Sequence, residues 1–151
     1  MHYSSSDNYL WNTIDSLGKG ATGGVFKGRH MKTGNSVAIK VFNTETNSFW
    51  RELDILKNTP MHDNIVKFIS METELSSKRR VIIMELCTGG SLYNIIDHPE
   101  NGFGLSEDEL MSVIRDVVSG LNHLHLQKGA GMLLFYIATS QAPSSGQEFT
   151  S

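Results

Sequence analysis

The stretch Leu17-Gly18-Lys19-Gly20-Ala21-Thr22-Gly23-Gly24-Val25, followed by Val37-Ala38-Ile39-Lys40, decides the fold. Its spacing is G-x-G-x-x-G-x-V and then V-A-I-K. Glycine has no Cβ, so the backbone N–H groups of such a loop can close on phosphate oxygens, and a lysine on the next strand adds a point charge. A glycine triplet alone also occurs in dinucleotide-binding units, where a helix opens on the last glycine. Here a strand-like segment, a turn and a second strand-like segment follow. The loop is therefore the bend of a hairpin.

Outward from the loop, Tyr9 to Leu17 and Val25 to His30 read as its two strands. Lys32-Thr33-Gly34-Asn35 is a turn, and Ser36 to Phe42, rich in β-branched and aromatic residues, is a third strand. Alternation puts Ala38, Lys40 and Phe42 on one face and Val37, Ile39 and Val41 on the other. Ser48 to Lys57 is predicted to be a helix capped by Ser48, with Phe49, Glu52, Leu53 and Leu56 on one side. Glu52 interrupts that apolar stripe. Either it pairs with a cation, for which Lys40 is the candidate, or it lies at the stripe's edge in water.

Two further strands are expected at Ile65 to Met71 and Val81 to Leu86, with Lys78-Arg79-Arg80 as a solvated turn before the second. Cys87 to Gly90 is a link, and Ser91 caps a short helix, Leu92 to Asp97, ended by His98-Pro99. After a turn at Asn101 to Gly104, Ser106-Glu107-Asp108-Glu109 forms a capping box with acids in the first helical turn. Behind it Leu110, Val113, Ile114, Val117, Leu121 and Leu124 keep helical spacing. His123 and His125 are two apart on this helix, so they point to different sides and are not a metal pair.

Composition narrows the function. The chain has 151 residues, 39% apolar and 19% charged, with net charge −3, which gives no electrostatic case for nucleic acid. Its one cysteine, Cys87, cannot form an internal disulfide, and a reducing, cytoplasmic location is expected. The polar residues 1–8 lack the apolar stretch of a signal peptide, and no apolar run approaches the roughly 20 residues of a membrane helix. They are expected to form a flexible N-terminus. Residues 129–151 begin at Gly129-Ala130-Gly131, run through apolar Met132 to Ala138, and end in a Ser/Thr/Gly/Gln-rich tail expected to be disordered or loosely packed.

These motifs together resemble the N-terminal half of a protein kinase domain, and in detail the IKK-related serine/threonine kinases. The resemblance rests on Gly18 to Asn43, Asn64-Ile65-Val66-Lys67, Ile83-Met84-Glu85-Leu86-Cys87, Gly90-Ser91-Leu92-Tyr93, Arg115-Asp116-Val117-Val118 and Asn122-His123-Leu124. It implies an α+β fold. A kinase N-lobe, a five-stranded antiparallel sheet plus one helix, would occupy residues 9–88, and the first helices of an incomplete C-lobe residues 89–128. It also implies ATP binding, as Mg-ATP in the full-length family, by Leu17, Gly18, Lys19, Gly20, Ala21, Thr22, Gly23, Gly24, Val25, Ala38, Lys40, Met84, Glu85 and Cys87. Gly18, Gly20 and Gly23 would cover the phosphates, and Val25 and Ala38 would sandwich adenine. Lys40 would hold the α- and β-phosphates and pair with Glu52. Met84 would be the gatekeeper, the backbones of Glu85 and Cys87 would meet the adenine edge, and Leu56 and Phe68 would belong to a hydrophobic spine. Protein substrates, adaptor proteins and a role in innate immune signalling follow by the same resemblance.

The chain departs from this pattern in two places. Catalysis in the family needs H-R-D-x-x-x-x-N and D-F-G, and neither occurs here. No catalytic residue or metal ligand is therefore assigned. Gly102-Phe103-Gly104 precedes the long helix and lacks the aspartate. Leu126 to Ser151 is expected to resemble no part of the family, as in a splice or truncated product, and the alternative reading is a non-catalytic nucleotide- or partner-binding fragment. The link from Lys40 to Glu52 is also shorter than the family's, which leaves the ion pair open. A last expectation is energetic: the long helix's aliphatic stripe needs cover to be stable.

Overall fold

The computed structural model describes residues 2–20, 22–44, 47–97, 99 and 104–126. They form strands β1 (Tyr3–Ser5), β2 (Tyr9–Gly20), β3 (Gly23–His30) and β4 (Ser36–Phe42), helix α1 (Asn47–Asn58), strands β5 (Phe68–Thr73) and β6 (Arg80–Glu85), and helices α2 (Leu92–Ile96) and α3 (Glu107–Leu126). The strands make one antiparallel sheet in the order β1-β2-β3-β4-β6-β5. This is the kinase-like N-lobe sheet with one helix, followed by the first helices of a partial C-lobe.

The two-residue period of β4 sorts the core into two. On one face Ala38 and Phe42 join Ile82 and Met84 of β6 and Phe49, Leu53 and Leu56 of α1. On the other, Val37, Ile39 and Val41 pack with Tyr9, Trp11, Val81 and Ile83. Register makes this possible, because Ala38 lies opposite Met84, Ile39 opposite Ile83 and Lys40 opposite Ile82. The first face carries α1 and the candidate site residues Ala38, Lys40 and Met84. The second is enclosed by the curl of the sheet.

The sheet has six strands rather than five. The sixth is β1, within the segment expected to be a flexible N-terminus, and it pairs with β2 from Tyr3 opposite Asn12 to Ser5 opposite Leu10. Its anchors are backbone and polar groups, which an apolar pattern does not reveal. Leu75 N–H donates to the Ser5 carbonyl at 2.8 Å, and Asn8 donates from Nδ2 to Glu72 Oε1 at 2.9 Å. These bonds tie the β1 edge to the β5–β6 hairpin and so close the curl. Of the basic run, Lys78 and Arg79 are exposed in the connection between β5 and β6, as a solvated turn requires, while Arg80 is half-buried in the strand. Arg79 bridges the buried Glu74 at 3.2 Å, and Arg80 opens β6 with its guanidinium 4.9 Å from the Trp50 ring centre.

Helix and strand limits shift slightly from the expectation. α1 starts at Asn47, so Ser48 lies within the first turn rather than at the cap. β5 starts at Phe68 instead of Ile65, because Ile65 turns its side chain into the α1 core. β6 is displaced one residue toward the N-terminus, and α2 ends at Ile96. The capping box forms as drawn: Glu109 N–H donates to Ser106 Oγ at 3.3 Å, and Ser106 N–H donates to Glu109 Oε2 at 2.9 Å. The expected disordered or loosely packed tail at 129–151 and the Gly102-Phe103 turn lie outside the described residues.

Candidate functional site

The glycine hairpin is a two-stranded arm, with Gly18 opposite Val25, Lys19 opposite Gly24 and Gly20 opposite Gly23. Its β2 half is solvent-exposed from Thr13 to Gly20. Ala21, at the tip, lies outside the described residues. Thr22 is exposed, and its carbonyl accepts from Asn43 N–H at 3.0 Å, fixing the tip to the end of β4.

The glycines fall into two kinds. A Cβ at Gly18 or Gly20 would meet nothing within 4 Å, so nothing inside the protein requires glycine there. A Cβ at Gly23 would stand 2.0 Å from the Val41 carbonyl oxygen, so Gly23 is required by the approach of β4. Gly18 and Gly20 therefore present bare backbone outward, and Gly23 seats the arm on the sheet.

Beneath the arm, Val25 lies opposite Lys40. Cross-strand partners share a face, so Val25, Lys40, Ala38 and Met84 look the same way. Ala38 is small and Met84 is 3% exposed, which gives this face an apolar floor closed at the back. Phe68 lies opposite Met84 on β5, and with Leu56 it completes the same cluster.

Lys40 Nζ stands 2.5 Å from Glu52 Oε1, and the two side chains are 14% and 8% exposed. Of the alternatives open for Glu52, the structure has the pair. The short link suffices because Glu52 lies on the α1 face that already packs on β4. The amine so placed stands on the same sheet face as Val25, Ala38 and Met84. Two carboxylates serve the fold elsewhere: burial pushes Glu72 and Glu74 up, but hydrogen bonds from Asn8 to the first, and from Ser77 and Arg79 to the second, hold both below the usual value.

At the end of β6, Glu85 N–H donates to the Lys67 carbonyl at 3.0 Å, and Glu85 Oε1 accepts from Lys67 N–H at 2.9 Å. The Glu85 amide is thus engaged within the protein. Cys87 is exposed. Partial burial and the neighbouring Glu85 charge push its thiol up, so it is a neutral thiol at pH 7. Among the described residues no group of three or more His, Cys, Asp or Glu gathers in a way that could hold a metal. No described helix is long and apolar enough to cross a membrane.

Sequence reasoning missed Phe42 and Phe49 as neighbours of the ion pair. The Phe42 ring centre is 5.0 Å from Lys40 Nζ, and it meets Phe49 edge-on at 4.8 Å. Lys40 and Phe42 alternate on one strand face and Phe49 and Glu52 are three apart on one helix face, and that double spacing was the signal available.

The model of the protein kinase domain matches residues 11–134. The match passes the end of α3 and reaches eight residues beyond Leu126, further than the resemblance read from the sequence alone. Among curated proteins, the chain is 46% identical over 125 residues to the inhibitor of nuclear factor kappa-B kinase subunit epsilon of Mus musculus, covering 80% of this chain and 17% of that protein. It is 33% identical over 123 residues to subunit alpha of Gallus gallus, covering 76% and 16%. It is 32% identical over 126 residues to misshapen-like kinase 1 of Rattus norvegicus, covering 79% and 9%. The chain thus spans less than a fifth of each of these relatives.

Proposed function

This chain belongs to the protein kinase domain family, and we propose from that premise that it is the ATP-binding portion of a serine/threonine kinase of the IKK-related group. One observation carries the proposal: a cleft-side lysine held by a helix glutamate, under a glycine arm whose Gly18 and Gly20 expose backbone for no internal reason. The residues fit a nucleotide. Gly18 and Gly20 would hold phosphate oxygens through N–H groups, and Lys40 would supply the charge beside them. Val25, Ala38 and Met84 would bound the base. The base's polar edge would fall to the Glu85 carbonyl and the Cys87 backbone, since the Glu85 amide is engaged with Lys67.

The residues present do not fit a metal, because no acidic cluster stands near this face among the described residues. In the family the bound nucleotide supplies the transferable phosphoryl group, and the 151 residues here hold neither the aspartate that orients an acceptor hydroxyl nor the metal ligands. We therefore assign this polypeptide nucleotide binding without phosphoryl transfer of its own. The alternative reading, a competitor or scaffold toward adaptor proteins or protein substrates in innate immune signalling, in the cytoplasm, would use the same nucleotide site.

Calorimetry with ATP, with and without Mg²⁺, tests the proposal. Binding that is weak, nearly independent of Mg²⁺ and lost in Lys40→Met is expected. Transfer of label from γ-labelled ATP above a Lys40→Met control would refute the assignment.

A further inference from the structure

α1 holds the glutamate of the ion pair, yet little chain holds the start of α1. Four residues separate Phe42, the end of β4, from Asn47, and Glu52 is only the sixth residue of the helix. A helix end frays unless tertiary contacts fix it. In this chain those contacts are aromatic. Phe49, wholly buried, meets Phe42 edge-on with ring centres 4.8 Å apart and planes at 84°. Trp50, next along, meets Phe49 at 5.0 Å and 79°, and Arg80 at the start of β6 lies over the Trp50 ring.

The order of these contacts is informative. Lys40 and Phe42 are two apart on β4, and Glu52 and Phe49 are three apart on α1, so two cross-element pairs lie side by side. Phe42 links the two, since Lys40 Nζ is 5.0 Å from its ring centre. A sliding or turning of α1 that opened the Phe42–Phe49 contact would carry the Glu52 carboxylate off Lys40.

We propose that Phe49 is a positioning residue: seated edge-on against Phe42, it sets the height and rotation of α1 that bring Glu52 onto Lys40. The proposal rests on the nucleotide-site reading only in giving the pair a purpose, and its test contains no nucleotide. Trp50 and Arg80 secure the same helical turn from outside, so the start of α1 is held between two parts of one sheet.

The test measures acylation of individual lysines in the full chain by a succinimidyl ester, read by mass spectrometry. An ammonium held against a carboxylate and shielded from water reacts slowly. Phe49→Leu, which keeps an aliphatic core residue but removes the ring edge, should raise the Lys40 rate roughly tenfold relative to Lys57 and Lys67, mid-range for groups in direct contact. Glu52→Gln should do the same, and the double variant should add little. Leu56→Val, also buried on α1 but roughly two helical turns beyond Phe49, should leave Lys40 within about twofold. Phe49→Met, closer in volume, covers the case in which Phe49→Leu unfolds, and it should also raise Lys40 selectively. A Lys40 rate unchanged in both Phe49 variants, or raised as much by Leu56→Val, would overturn the proposal and show Phe49 to be core filling alone.

Discussion

Alanine substitution should separate the glycines of the hairpin arm by sign. At Gly23 the new methyl carbon would stand 2.0 Å from the Val41 carbonyl oxygen and 3.0 Å from Phe42 Cα. Those are backbone atoms of the β3–β4 ladder, in which Gly23 lies opposite Phe42, so they cannot swing aside. Overpacking of this kind costs about 1–3 kcal/mol, and backbone resistance puts Gly23→Ala at the upper end. At Gly18 and Gly20 a methyl meets nothing within 4 Å, and neither residue has positive φ. There Ala restricts the unfolded chain without strain, so each change should stabilise by about 0.4–1 kcal/mol. The same two methyls occupy the ground on which phosphate oxygens would approach the N–H groups. Nucleotide affinity should fall by tenfold or more, about 1.4 kcal/mol, in the very variants that are more stable. Urea titration and calorimetry on the three variants measure both quantities. A destabilising Gly18→Ala, or a Gly23→Ala as stable as the parent, would refute the division between outward-facing and seating glycines.

Three other outcomes follow from the same geometry. Lys40→Met and Glu52→Gln should each destabilise by up to about 3–5 kcal/mol because each leaves a largely buried charge alone, and the double variant should lose far less than their sum in a denaturant titration. Glu72 and Glu74 titrate below the ordinary glutamate value of 4.5 in the fold, so the stability they give is complete above that value and lost as pH falls through their depressed folded values; Glu74→Gln should flatten this acid limb in a pH series of melting temperatures. Ser106→Ala removes both the cap and its bond to Glu109, and should cost about 1 kcal/mol, read as lost helicity of α3 by circular dichroism.

The parts legible in the sequence were those where side-chain pattern and backbone demand coincide. In Ser36 to Phe42 each residue's face is fixed by parity, and the two cores divide as parity requires. Glu52 announced itself as a charge inside an apolar stripe. Ser106 and Glu109 carry their own bonding geometry. β1 was illegible because Tyr3-Ser4-Ser5 is an edge strand held through its backbone, with Tyr3 65% exposed, so no apolar period marks it. The start of β5 was misplaced because Ile65 has strand propensity but its burial is against α1. The Phe42–Phe49 contact spans a strand and a helix, and neither period alone shows that two stripes meet ring to ring.

The long helix shows how burial and pattern come apart. α3 keeps an apolar stripe from Leu110 to Leu124, yet Leu110, Ile114 and Leu121 are 47%, 45% and 36% exposed, while Val113 and Leu124 are 5% and 2%. Leu124 alone of the stripe enters the core that contains Phe49 and Met84. Beside it the His123 and His62 rings lie 4.6 Å apart, and Ser119 Oγ is 3.4 Å from His62 Nε2. The C-terminal half of α3 is thus fastened to the loop after α1, and the N-terminal half is held by its own capping box. Periodicity states which side chains want cover, and only packing states which receive it. For the candidate site this division matters, because Leu124 joins the core cluster of Ala38, Phe42 and Met84 beside Lys40, and that cluster is completed by a helix that is itself only partly covered.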